Sequence, residues 1–184
     1  MTNKTTIFTI GHSNRSAEEL LRLVLLHGIK ILVGIRAQPH SRRFPHFNQE
    51  ILRDSINKAD IEYHWAGRQL GGKREFTNSG RHQALIDSFQ QGFAEYMEIA
   101  QFQQAIVQLI SLSDRAPLAI MCAEKLPKHC HRSLIADYLV LQNVTVKHIV
   151  NSQTLITHEL NRLARTESAT LIYDRNTTTK LDLH

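Results

Sequence analysis

Short apolar runs alternate with longer segments of helical periodicity along most of the chain. Strand-like runs rich in β-branched and other apolar residues occur at 7–10, 29–35, 61–64, 117–121 and 144–150. A period of about 3.6 residues predicts helices at 17–27, 48–58, 83–111 and 130–141, the third as one or two helices with Gly92 as its weak point. The segment 157–173 is predicted to form a closing helix or turn plus a short edge strand.

This alternation predicts a single α/β domain over residues 1–173, with a mostly parallel sheet and helices on both of its faces. Ser16 with Glu19 and the later Gly28 are the cap residues expected for the first helix. Residues 174–184 are polar enough to form a loose tail. The length of 184 residues is that of about one domain, and no internal repeat or linker interrupts it.

Composition narrows the class of protein further. No apolar run approaches the roughly 18 residues that a membrane span needs, and no secretory segment precedes the first strand, so we expect a cytoplasmic protein. The two cysteines, Cys122 and Cys130, are expected to be free thiols. The net charge of +5 favours an anionic partner such as a nucleotide or nucleic acid, while the oligomeric state stays open.

Polar side chains follow the ends of several predicted strands, which is where open α/β sheets bind their ligands. Because the carboxyl ends of parallel strands meet at one rim, we expect these residues to form one anion-binding active site. They are His12, Ser13, Arg36, Ser41, Arg42, Gly71, Gly72, Cys122 and Glu124, joined by Cys130, His131 and Arg132 at the start of the fourth predicted helix.

The residue types suggest roles within this site. Glu124 and His12 are the candidates for general acid–base catalysis, although Glu124 could instead form a salt bridge and His12 a backbone hydrogen bond. Arg36, Arg42 and Arg132 are the expected anion ligands. The free amides and the dipole at the start of the fourth predicted helix would favour the same anion, unless it is an ordinary capped surface helix.

Cys122 is a possible nucleophile, because a cysteine after a strand and before a helix is similar to the nucleophile loops of cysteine phosphatases and sulfurtransferases. The loop lacks glycine, Pro127 removes an amide donor, and Lys128 stands at the expected arginine position, so a small buried thiol is the alternative. The Cys-x7-Cys spacing matches no usual zinc ladder, and we predict neither a metal nor a cofactor.

These residues predict an enzyme with hydrolase-like chemistry on a phosphate-bearing substrate, at a glycosidic or phosphoester bond. A non-catalytic nucleic-acid-binding module is one alternative, since a mixture of basic and aromatic residues can grip phosphates and stack bases. That mixture comprises Arg36, His40, Arg42, Arg43, His46, Lys73, Arg74 and Arg81 with Phe44, Phe47, Trp65 and Phe76. A basic surface loop over buried aromatics explains the same residues, and thiol redox or metal chemistry at Cys122 and Cys130 is a further alternative.

Six short motifs occur in order along the chain, at 9–13, 36–42, 70–72, 122–124, 130–132 and 146–149. Together they resemble the family called domain of unknown function 488, and the resemblance extends from Ile7 to about Tyr173. It implies an α/β domain without an established activity. The family pattern has an aspartate two residues before the arginine, where this chain has Gly34, which implies an altered or weakened activity if that acid is catalytic.

Overall fold

The computed structural model describes residues 5–175, in which five parallel strands and one antiparallel edge strand form the main sheet. Its strands are β1 (Thr6–Gly11), β2 (Ile31–Gly34), β3 (Glu62–Trp65), β4 (Leu118–Cys122), β5 (Thr145–Ile149) and β6 (Leu155–Thr157). They lie in the order β3-β2-β4-β1-β5-β6. Two further strands, β7 (Ala164–Glu167) and β8 (Thr170–Tyr173), pair with each other as an antiparallel hairpin.

Helices cover both faces of the main sheet, as the alternating pattern predicted. They are α1 (Ala17–Leu26), α2 (Gln49–Asn57), α3 (Gly67–Leu70), α4 (Ser88–Met97), α5 (Ala100–Ser113) and α6 (Arg132–Leu141), with short 3-10 helices at Pro45–Phe47 and Pro127–His129. One apolar core lies between the sheet and α1 and α2, and a second lies between the sheet and α4, α5 and α6. None of the helices within residues 5–175 is long and apolar enough to span a bilayer.

The cap residues of the first helix act as predicted. Ser16 Oγ accepts a hydrogen bond from the Glu19 amide, and the Glu19 carboxylate accepts one from the Ser16 amide. Gly28 follows the helix with φ +66°, a conformation that glycine adopts without steric cost. Local sequence therefore fixes both ends of α1.

Two segments differ from the prediction. The 83–111 stretch breaks at Glu98 and Ile99 rather than at Gly92, which lies inside α4 beside the backbone of Glu75. For 157–173 the helix alternative was wrong and the alternative of a turn with a short strand was confirmed, because Ser168 and Ala169 both adopt positive φ and make the two-residue turn between β7 and β8. Most of the predicted polar tail, 176–184, lies outside the described residues.

A buried hydrogen-bonded chain of five side chains joins the sheet to α6 and the hairpin. Asp137 accepts from His158 Nε2 at 2.8 Å and from the Tyr173 hydroxyl at 2.9 Å. His158 Nδ1 must then accept from His148 Nε2, 2.9 Å away, which leaves His148 Nδ1 to accept from Thr9 Oγ1 at 2.7 Å. Each proton position in the chain thus follows from the carboxylate at its end.

We expect that Asp137→Ala destabilises the fold by about 3 to 5 kcal/mol, because it leaves the buried donors of His158 and Tyr173 without their acceptor. Urea unfolding of the two proteins measures the difference. Asp54→Ala is the matched control, since the Asp54 side chain is 64% exposed, and it should change the free energy of unfolding by less than about 0.5 kcal/mol. Equal effects of the two substitutions would contradict a structural role for Asp137.

Acid should also weaken the fold through His148. Burial lowers the pKa of His148 to about 3, and the charges of His158 and Arg132 act in the same direction. An unfolded histidine has a pKa of about 6.5, so the unfolded chain binds a proton that the folded chain excludes. The free energy of unfolding should therefore fall as the pH decreases from about 6.5 towards 3. His148→Gln should make this fall shallower, by up to about 1.4 kcal/mol per pH unit.

Denaturant unfolding at a series of pH values between 6.5 and 4 measures that slope. The exposed His64 supplies the control, because His64→Gln should keep the wild-type pH dependence. A slope that is the same in His148→Gln and in the wild-type protein would show that His148 does not control the acid response.

Candidate functional site

A pocket of about 580 Å³ opens at the carboxyl ends of β1, β2 and β4. Its lining includes five of the residues predicted for the site, namely His12, Ser13, Arg36, Ser41 and Glu124. His40 and Arg43 line the same pocket. The loops after three strands therefore bring together side chains that lie more than one hundred residues apart in the sequence.

The loop after β1 packs directly against the loop after β4. The amide of His12 donates to the carbonyl oxygen of Cys122 at 2.9 Å, and the amide of Ser13 donates to that of Ala123 at 2.8 Å. A Cβ atom at Gly11 would collide with the carbonyl oxygen of Glu124, so only glycine permits this approach. Gly11 thus sets the distance between His12 and the segment that carries Glu124.

His12 lies at the floor of the pocket in a defined tautomer. Its Nδ1 is 2.9 Å from the carbonyl oxygen of Ser13, which can only accept, so Nδ1 carries the proton. Nε2 is left as an acceptor and faces Arg36 Nη1 at 3.3 Å. Burial, together with the charge of Arg36, lowers the pKa of His12 to about 4. His12 is therefore neutral near pH 7, and the lone pair of Nε2 accepts the hydrogen bond from Arg36.

Arg36 is a buried cation without a carboxylate partner among residues 5–175. Only 7% of the residue is exposed, and burial lowers the pKa of its guanidinium group. Its Nη2 donates to the carbonyl oxygen of Phe47, while its Nε has no hydrogen-bond partner in the described part of the chain. The carbonyl oxygen of Arg36 in turn accepts from Trp65 Nε1 at 2.9 Å, which fixes the backbone beside the pocket.

Glu124 is exposed at the opposite wall of this pocket. Its carboxylate makes no hydrogen bond or salt bridge with the residues that the structure describes, so the salt-bridge alternative with Arg36 or Arg132 is not formed there. Arg132 bonds to the backbone of this segment instead, through the carbonyl oxygens of Glu124 and Lys125 at 2.9 and 3.2 Å. The carboxylate thus remains accessible from the pocket.

The start of α6 lies behind the pocket and its first amides are already engaged. The amide of Arg132 donates to Cys130 Sγ at 3.5 Å, and that of Ser133 donates to the carbonyl oxygen of Cys130 at 3.0 Å. The amides of Leu134 and Ile135 both donate to the carbonyl oxygen of His131. Cys130, His131 and Arg132 are all buried, so the predicted helix-terminal anion site does not face the pocket.

The two cysteines lie close together beneath the loop after β4. His131 Nδ1 is 3.9 Å from Cys122 Sγ and 3.5 Å from Cys130 Sγ. The pKa of Cys122 lies well below its usual value because the Cys130 thiol donates to it and because His131 and Arg132 lie nearby. The same interaction and burial raise the pKa of Cys130 above its usual value. Cys122 is only 6% exposed and does not line the pocket.

Besides Cys122 and the three residues at the start of α6, three further predicted site residues lie apart from the pocket lining. Arg42 is exposed, and its neighbour Arg43 contributes to the lining instead. Gly71 and Gly72 are buried, and a Cβ atom at Gly72 would lie 2.5 Å from His131 Nδ1. Gly72 therefore makes room for the His131 ring rather than for a ligand.

Several residues of the basic and aromatic set are engaged within the chain. Arg74 stacks over the ring of Tyr96, with its guanidinium carbon 3.6 Å from the ring centroid. Arg81 forms ion pairs with Glu98 and Glu167. Phe47 is fully buried and packs against His12. Other members of the set stay exposed, namely His40, Arg42, Arg43 and Lys73.

Sequence reasoning missed the network that ends at Asp137. Its members come from five separate elements or loops, and only Thr9 and His148 had been noted within motifs, those at 9–13 and 146–149. A histidine at an inward-facing position of a buried strand was the available signal, because such a group needs a hydrogen-bond partner. That partner lies ten residues further along, beyond a turn and β6.

The family model described as "Domain of unknown function DUF488" matches residues 16–139. The matched segment includes Arg36, Glu124 and the Cys122–Arg132 stretch, and it begins after His12 and Ser13. No curated protein and no solved structure matches the chain.

Proposed function

Since the chain belongs to the DUF488 family of unknown function, its activity has to be inferred from its own side chains, and we propose a hydrolase-like enzyme acting on a phosphate-bearing substrate such as a nucleotide. The observation that carries this proposal is Arg36, a buried cation at the pocket floor that pairs with no carboxylate among residues 5–175. Burial of this guanidinium group is costly, and an anionic ligand would relieve that cost.

The charges around the pocket support an anionic substrate. Arg36 and Arg43 contribute two guanidinium groups, and Glu124 is the one carboxylate among the lining residues of the described chain. Guanidinium groups bind phosphate through paired, charge-assisted hydrogen bonds. The pocket volume of about 580 Å³ is within the range that small-molecule sites occupy, and a nucleotide is of that size class.

The chemistry that these side chains support is hydrolysis at a phosphoester or glycosidic bond. Glu124 takes a proton from the attacking water as the new bond to oxygen forms, and that proton then passes to the leaving group as its bond breaks. Arg36 holds the phosphate, and His12 Nε2 orients the Arg36 guanidinium group by accepting its hydrogen bond. Ser13 and Ser41 contribute hydroxyl groups to the wall of the pocket.

Inorganic phosphate is the simplest probe of the anion site. We expect Arg36→Gln to weaken phosphate binding at least tenfold, because a hydrogen bond to a charged group contributes about 1.5 to 3 kcal/mol. Isothermal titration at low ionic strength measures the binding. The control is Arg53→Gln, which removes an exposed arginine on α2 and should leave the binding unchanged.

Because Arg36 is buried, its replacement could also weaken the fold. Arg43→Gln avoids this difficulty, since Arg43 is exposed and lines the same pocket, and it should weaken phosphate binding by about two- to fivefold. Wild-type binding of phosphate by both pocket variants would rule out an anion site at this place.

Glu124→Gln should lower kcat at least a hundredfold while changing phosphate affinity less than about threefold, because it removes a proton acceptor and keeps the shape of the side chain. Hydrolysis of p-nitrophenyl phosphate and bis(p-nitrophenyl) phosphate, and release of free base from nucleoside monophosphates, provide the assays. Glu50→Gln on the surface of α2 is the matched control. The proposal fails if the wild-type protein hydrolyses none of these compounds or if Glu124→Gln keeps the wild-type kcat.

A further inference from the structure

Three soft ligand atoms converge behind the pocket in a cluster that the proposed hydrolysis does not use. They are the sulfur atoms of Cys122 and Cys130 and the Nδ1 atom of His131, and all lie within 4.8 Å of one another. All three residues are buried, with 6%, 3% and 4% of their surface exposed. Thiolate and imidazole groups together are the donor set that zinc prefers in proteins.

The separations between these atoms match those around a tetrahedral zinc ion. Bond lengths of about 2.3 Å to sulfur and about 2.1 Å to nitrogen, at a tetrahedral angle, give a sulfur–nitrogen separation of about 3.6 Å. The observed separations from His131 Nδ1 are 3.9 Å to Cys122 Sγ and 3.5 Å to Cys130 Sγ. An ion could therefore bind with only small movements of the side chains.

The backbone conformation at Cys130 and His131 brings the three ligand atoms together. Side chains of consecutive residues usually point apart, but Cys130 is extended (φ −138°, ψ 145°) and His131 is helical (φ −53°, ψ −16°), so both reach Cys122 at the end of β4. The 3-10 helix Pro127–His129 returns the chain to this point. Arg132 fixes the arrangement by bonding to Cys130 Sγ through its amide and to the loop carbonyls through its side chain.

The orientation of the His131 ring favours the same conclusion. Its Nδ1 faces both sulfur atoms, while its Nε2 is buried and has no hydrogen-bond partner within residues 5–175. Within residues 5–175, the ring nitrogens of His131 therefore make polar contacts only with the two thiols. Gly72 lies against the ring where any side chain would displace it, and Phe93 packs edge-on against it, with ring centroids 5.0 Å apart.

We propose that Cys122, Cys130 and His131 bind one Zn²⁺ ion. Two thiolates neutralise the charge of the ion, and three protein ligands leave one tetrahedral position for water or another small ligand. Sequence analysis had considered His131 with the two cysteines as possible ligands, but it kept metal chemistry only as an alternative because the Cys-x7-Cys spacing matches no usual zinc site. The ion would tie the end of β4 to the start of α6, on the inner side of the segment that carries Glu124.

Metal content of the purified full-length protein tests the site without any substrate. Native mass spectrometry after addition of excess Zn²⁺ should show one ion per chain, and the thermal unfolding temperature should rise because the ion binds the folded state. Co²⁺ in place of Zn²⁺ should give the intense sulfur-to-metal charge-transfer absorption and the visible bands of a tetrahedral site with thiolate ligands. The spectrum reports the ligands in the wild-type protein, so it needs no substitution.

Cys122→Ser, Cys130→Ser and His131→Asn should each weaken Zn²⁺ binding at least a hundredfold. The matched control is His64→Asn, which removes an exposed histidine of β3 and should keep one Zn²⁺ per chain. A wild-type protein that stays metal-free in excess Zn²⁺, or a bound Co²⁺ without thiolate absorption, would overturn the proposal. So would thiols that form a Cys122–Cys130 disulfide in air at the same rate with and without Zn²⁺.

Discussion

The guanidinium group of Arg132 holds together the part of the molecule on which the site depends. It is almost completely buried, with 1% of the residue exposed, and Nη2 donates to the carbonyl oxygens of Glu124 and Lys125. A buried cation is costly, and Nε and Nη1 have no hydrogen-bond partner within residues 5–175, so the inward-facing carbonyl oxygens of the loop after β4 are the acceptors that hold the group. The Glu124 side chain is exposed on the other side of that backbone. The hydrogen bonds of Arg132 thus orient the carbonyl oxygens of the loop inward and leave the Glu124 side chain outward.

Two chemically different environments follow from this arrangement. The outer surface of the loop contributes Glu124 to an open, polar pocket with Arg36 and Arg43. The inner surface contributes Cys122 to a buried cluster of sulfur and imidazole groups. The loops after β1 and β4 share two backbone hydrogen bonds, so a shift of the cysteine segment would also move the wall formed by His12 and Ser13. The positions of the pocket residues His12 and Ser13 therefore depend on the position of the Cys122 segment.

The sequence predicted the architecture well because periodicity and cap residues are local. The alternation of strands and helices required a parallel sheet, and the ends of its strands had to meet, which brought His12, Arg36 and Glu124 to one pocket. Side-chain direction could not be predicted in the same way. Arg43 lines the pocket instead of Arg42 because of the dihedral angles of its loop. The start of α6 faces inward because Arg132 is buried. The Asp137 network depended on contacts across long stretches of chain.

Gly34 shows how one small residue can change the electrostatics of the whole pocket. A Cβ atom at this position would lie 2.5 Å from the hydroxyl oxygen of Tyr63, so the Tyr63 side chain occupies the space that a larger residue would need. The aspartate that the family pattern has here would therefore displace Tyr63 and introduce a negative charge two residues from Arg36. With glycine, the charge of Arg36 meets no carboxylate within the described chain, and Tyr63 and Cys122 are the acidic side chains that act on it. Under the proposed function, glycine at this position leaves the Arg36 guanidinium group without a neighbouring carboxylate that would compete with an anionic substrate.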